Sequence, residues 1–265
     1  MTTRENTLTS SSAVGLLTRA LFLEALRRRE FYGLLLFMGL YLVGALIVRI
    51  VGIEDAATAA FVLNLGLSMA FFLGLLMTML LAVRAVPEEI EARTIYPVLA
   101  KPLRRSDFIL GKWFAAWLTG TFTTVVLLVL GWLPAPSAGD LSAATFVQGV
   151  ILQLAALAML AALGLVLSIF LPKAVNVVIL VLLILAGHRI VSAVRGQLPE
   201  AFGWRVLDWV LRYIPDFGIL NLVDRYTDGM PPLSASDFLL RVIYAGLVTA
   251  VCLVWTSYAF ERRAL

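Results

Sequence analysis

Charge is what this sequence has least of: only 14% of its 265 residues are Asp, Glu, Lys or Arg, against roughly 25% in a soluble domain. Cysteine and histidine occur once each, as Cys252 and His188. One cysteine excludes a disulfide framework or a cysteine metal cluster within a single chain. Set in an apolar run, Cys252 reads as a buried, inert thiol. One histidine leaves no H-E-x-x-H zinc site, and no G-x-S-x-G nucleophile elbow is present. His188, beside Arg189, reads as an interfacial residue rather than a ligand. A phosphate cradle is missing too, because Gly111-Lys112 runs into Trp113 and no glycine stands five residues before Gly111. No catalytic residue, metal site or cofactor of the chain's own is expected.

What the chain has in excess is apolar surface, with 61% hydrophobic residues and a mean hydropathy of +0.95. That is more than one globular core can hide, so lipid must be the solvent for much of it. Charge-free runs mark six spans: Phe31–Val48, Ala56–Val83, Trp113–Gly139, Leu141–Pro172, Ala174–His188 and Val242–Phe260. About 20 apolar residues cross the ~30 Å hydrocarbon layer as a helix. The fifth run is short, and either borrows Arg189–Ser192 or stops early. The expected fold is all-α and integral to the membrane, with one membrane domain over residues 1–265.

The net charge of +4 does not point to nucleic acid, because the basic residues gather beside the apolar runs. With the N-terminus inside, Arg27, Arg28, Arg29, Arg84, Arg93, Lys101, Arg104, Arg105, Lys112, Lys173, Arg262 and Arg263 all fall on the cytoplasmic side. The short outer loops around Glu54–Asp55 and Asp140 carry no basic residue. The long segment between the fifth and sixth spans holds several arginines, but long translocated loops count little in this rule. Both termini are therefore expected in the cytoplasm and the chain in the cytoplasmic (inner) membrane. The N-terminus lacks the order of a secretory signal and is read as retained.

Two stretches read as helices at the interface. Ser11–Glu30 is an N-terminal amphipathic helix leading into the first span, with Glu24 reaching Arg28 at i,i+4. Phe202–Ile214 is the second. Pro215 ends it, within an outer-face segment over 200–232 whose Trp204, Trp209, Tyr213 and Tyr226 suit the membrane interface. Between the second and third spans lies Arg84–Lys112. Pro87 opens a helix there, and Glu88, Glu89 and Glu91 stand in its first turn against the positive dipole end. Pro102 breaks the run, and Ser106 with Asp107 caps the third span. On its residues alone this is an ordered, mixed-charge connector.

The order Glu89-Ile90-Glu91-Ala92-Arg93-Thr94, then Leu99-Ala100-Lys101-Pro102-Leu103, Arg105 and Leu110-Gly111-Lys112, resembles the loop of type-2 ABC exporter permeases. Leu23–Phe31, Ile214-Pro215-Asp216 and Tyr258–Arg263 extend the resemblance to the gross organisation of the chain. The resemblance implies a permease that dimerises, with a second copy or a related permease. It implies two cytoplasmic ABC ATPase subunits that bind ATP and Mg on this chain's behalf. By position, the elbow helix is 11–30, with Arg27, Arg28 and Arg29. The coupling helix is 87–99, with Glu88, Glu89, Glu91, Arg93 and Thr94 as ATPase contacts.

Two rivals come from other classes. An ion-coupled secondary transporter usually keeps Asp, Glu or His at mid-membrane, and none of the charge-free runs holds Asp or Glu. A membrane scaffold for an extracytoplasmic assembly, with a partner on the outer segment, is the other. Thr119, Thr123 and Gln153 are the candidates for a translocation path, and helix-to-helix hydrogen bonding accounts for them equally well. The expected substrate is lipidic, drug-like or part of an extracytoplasmic assembly.

Overall fold

The computed structural model describes residues 10–52, 55–85, 87, 105–134, 142–197 and 215–262. Among them every regular element is helical. The helices are α1 (Ser10–Leu26), α2 (Arg29–Ile50), α3 (Ala56–Arg84), α4 (Arg105–Trp132), α5 (Ala143–Phe170), α6 (Lys173–Gln197), α7 (Val223–Thr227) and α8 (Ala235–Arg262), with a 3-10 turn at Gly218–Leu220. Five of these, α2, α3, α4, α5 and α8, are long and apolar enough to cross a membrane. They are apolar around most of their circumference, as expected where one face meets protein and the other meets lipid.

α3 is the axis of the bundle. Buried residues make up 67% of its apolar window, against 22% in α2 and 11% in α8, so α2 and α8 turn most of their Leu, Ile and Val outward. α3 and α4 run antiparallel, and small residues let their backbones approach. A Cβ on Gly66 would lie 2.7 Å from the Gly131 carbonyl oxygen, and one on Gly131 would lie 2.9 Å from that of Gly66. Further along the same seam, Gly74 faces Thr124 and Gly120 faces Thr78. With no water to squeeze out between helices in lipid, close packing of this kind holds spans together.

α5 packs on the other side of the axis. Trp113 and Trp117 of α4 stack in parallel, 6.0 Å apart, and donate to the Ala158 and Leu154 carbonyls of α5 at 2.9 and 3.0 Å. Gln153 of α5 donates to the Phe71 carbonyl of α3 at 3.0 Å. α6 returns antiparallel along α5, with the Asn176 amide on the Gly164 carbonyl at 3.0 Å and Leu180 fully buried.

The segment 215–233 is folded down onto the bundle. Phe217, Leu220, Leu222, Val223 and Tyr226 are buried, and three spans pin the segment. Asn64 of α3 donates to the Asp224 carboxylate and the Thr227 hydroxyl at 2.9 and 2.8 Å. Gln148 of α5 donates to the Leu233 carbonyl at 3.1 Å and accepts from the Leu233 amide at 2.8 Å. Tyr244 of α8 accepts from the Asp216 amide at 3.0 Å. Burial pushes the Tyr226 phenol above its ordinary pKa.

Two expectations meet differences. The N-terminal amphipathic stretch is broken: α1 stops at Leu26, Arg27 and Arg28 form a turn, and Arg29 and Glu30 begin α2. The break is local, because Arg28 is extended (φ −73°, ψ 147°) and cannot continue a helix. α4 begins at Arg105, so Ser106 and Asp107 lie in its first turn rather than capping it. Asp107 still opposes the dipole there. The fifth expected run falls on α6, whose described apolar part, Lys173–Leu185, is short as expected, while its helix continues through Arg189–Ser192 to Gln197. The Phe202–Ile214 helix and the 88–99 part of the coupling helix lie outside the described residues. Pro87, the first residue of the latter, is helical.

Candidate functional site

One end of the bundle gathers α1, the start of α2, the end of α3, the start of α4 and the end of α8, and from it springs the loop between α3 and α4. The Glu30 carboxylate, in the first turn of α2, pairs with the guanidinium of Arg84, the last residue of α3. Thr18 of α1 donates to the Gly111 carbonyl of α4 at 3.4 Å. Phe22 of α1 meets Phe122 of α4 edge-on at 5.7 Å, and Phe31 of α2 stacks on the same ring at 6.3 Å. At the start of α4, Phe108 stacks on Phe260 of α8 at 5.8 Å, both rings almost fully buried. Lys112 lies 5.5 Å from the Phe108 centroid. The elements flanking the loop are thus fixed to α1, α2 and α8.

Of the arginines that the resemblance assigned to an elbow helix, Arg28 pairs with Glu24 at 2.7 Å as the i,i+4 spacing predicted, while Arg27 and Arg29 are exposed. The loop candidates Glu88, Glu89, Glu91, Arg93 and Thr94 lie outside the described residues. Glu30, Phe108 and Phe260 went unremarked in the sequence. Glu30 looked like the tail of an amphipathic helix, and no spacing rule links it to Arg84, 54 positions away.

The other end holds a cavity of about 120 Å³ beneath the 215–233 segment. Phe71, Phe72 and Leu75 of α3, Ala156 of α5, Ile184 of α6 and Phe217 give it apolar walls, and Ser68, Gln153 and Asn221 supply polar groups. Gln153 is the one path candidate that reaches it. Thr119 and Thr123 are buried, and each hydroxyl donates to its own helix, to the Ala115 and Thr119 carbonyls at 2.7 and 2.8 Å. Ser68 and Asn221 were not singled out for a site. The signal for Ser68 was its place one turn from Asn64, on the α3 face turned to the outer segment. Among the described residues no group of His, Cys, Asp and Glu could hold a metal ion.

No curated protein matches the chain. A family model described as ABC-2 family transporter protein matches residues 54–259, from just before α3 almost to the end of α8. The chain belongs to the ABC-2 family of transporter membrane domains, and is a multi-pass permease component of an ABC transporter, a family whose members lack an ATPase site and work with a cytoplasmic ATPase subunit.

Proposed function

We propose that this chain is the membrane subunit of an ATP-driven exporter, working as a dimer on two cytoplasmic ATPase subunits. The observation that carries the reading is the anchoring of both flanks of the α3–α4 loop. Glu30–Arg84 holds one, and Phe108–Phe260 with Thr18–Gly111 holds the other. An ATPase that grips Glu88, Glu89, Glu91, Arg93 and Thr94 can then convert its own closure into a shift of whole helices, a rigid-body transition driven from an interface. ATP and Mg are bound by that partner. α1 is the elbow helix, and Arg27–Arg29 follow it at the joint with α2.

Six crossings fit the chain path. Described residues near both ends of the chain meet α4 at the loop end, Thr18 at Gly111 and Phe260 at Phe108. α5 finishes there too, and α8 starts at the opposite end beside Gln148. Between them the chain must cross once more, and α6 is the element available. Its 25 residues span about 37 Å at ~1.5 Å per residue, enough for the ~30 Å core. The mixed lining of the cavity suits a lipidic or drug-like group, with Gln153 as its polar contact.

Reporter fusions test the orientation. Fusions at Leu265 and within Arg84–Lys112 should report cytoplasmic, and fusions at Asp140 or Asp228 external. A cytoplasmic signal at Asp228 would remove the crossing by α6. The function itself is tested by recovery of an ATPase with the chain from native membranes, set out below.

A further inference from the structure

The first turn of α2 lies between the two legs of the α3–α4 loop and is tied to each in a different way. To α4 it is tied by ring contact, Phe31 on Phe122 at 6.3 Å. To α3 it is tied by charge, Glu30 on Arg84, with the two side chains 31% and 30% exposed. A ring contact of this kind is insensitive to charge and water. An ion pair that stays partly open to water is modest in strength, and water can replace it. Glu30 also stands two residues past Arg28, within the joint between α1 and α2, and Arg28 adds its own pull on the same carboxylate. Arg84 is the last helical residue before the loop.

Resting on the permease reading above, we infer that Glu30 is a positioning residue for energy coupling, whose releasable pair with Arg84 decides whether the α1–α2 joint follows α3 when the loop moves. The α4 leg carries α1 and α8 with it through Phe22–Phe122 and Phe108–Phe260. Deeper in the bundle α2 also meets α3 through the Tyr41 hydroxyl on the Val62 carbonyl and through shared buried side chains, so the Glu30–Arg84 pair governs only whether the first turn of α2, at the α1–α2 joint, follows the end of α3.

The test uses the full permease–ATPase complex in lipid nanodiscs. Tyr32, 60% exposed on α2, is replaced by cysteine in a Cys252→Ala background and carries an environment-sensitive fluorophore. The fluorescence change on adding Mg-ATP with vanadate is read beside the amount of ATPase retained. Glu30→Gln, nearly isosteric, should retain the ATPase and lose at least two thirds of the change. Glu30→Arg and Arg84→Glu should each lose as much, and the double exchange should recover at least half. A purely structural role would lower yield without recovery of the nucleotide response in the double exchange. Three results would overturn the inference alone: a full response in Glu30→Gln, a double exchange as silent as the singles, or a parent complex that holds its ATPase but gives no response. A parent chain that retains no ATPase would instead overturn the permease reading, and this inference with it.

Discussion

Glu88→Lys, Glu89→Lys and Glu91→Lys together should cut copurification of the ATPase at least tenfold and leave the permease folded. If these residues form the first turn of the helix expected from the sequence, each reversal costs ~0.3–1 kcal/mol against the dipole, small beside a membrane-inserted bundle. At a docking surface, like charges brought face to face cost several kcal/mol, and each ~1.4 kcal/mol is a factor of ten in affinity. Asp140→Lys, Glu200→Lys and Asp228→Lys together make the control, since they introduce the same charge on the opposite side. Asp216 and Asp224 are unsuitable, because Asp216 accepts the Gly218 amide at 2.8 Å and Asp224 accepts Asn64. Their loss would loosen the outer segment. Equal binding by both variants would make the loop a connector and nothing more.

Gly66→Leu and Gly131→Leu should each be as damaging to the fold as the loop reversal is to docking. The nearest atoms to a Cβ at either position include the backbone of the other glycine, at 2.7 and 2.9 Å, and backbone cannot rotate aside. Overpacking of a tight core typically costs ~1–3 kcal/mol, occasionally more, and here the upper end is expected because α3 and α4 must part. Gly39→Leu and Gly44→Leu on α2 supply the contrast, since a Cβ there meets nothing within 4 Å. Size-exclusion profiles and thermal melts in mild detergent should show loss of the monodisperse peak for the first pair and parent-like behaviour for the second. Parent-like melts for Gly66→Leu would mean that α3 and α4 are not held at this seam.

Much of this architecture was legible because lipid imposes so few solutions. Long charge-free runs have to be helices, so α2, α3, α4, α5 and α8 follow from where charges stop. The Glu24–Arg28 pair was legible because a helix fixes its spacing. Contacts between distant residues were not. Gly66 and Gly131 are one seam only once α3 and α4 are known to be antiparallel at that register. Nothing in the sequence marks Gln148, which holds the Leu233 backbone from both sides. The α1–α2 break escaped detection because Arg27, Arg28 and Arg29 are good helix formers, and tertiary contacts overrode their propensity. The outer segment looked like a surface element from its aromatics, and its burial depends on Asn64, Thr145 and Tyr244 on three different spans.

The most direct test of the central claim is ATP hydrolysis measured on tagged chain extracted in mild detergent, with and without its native companions. Extraction from native membranes should recover a cytoplasmic-type ATPase at about one copy per chain, and that complex should hydrolyse ATP. The chain stripped of companions should hydrolyse none and bind ATP no better than background, since it has no P-loop. Robust hydrolysis by the isolated chain, or extraction that never yields an ATPase, would contradict the account.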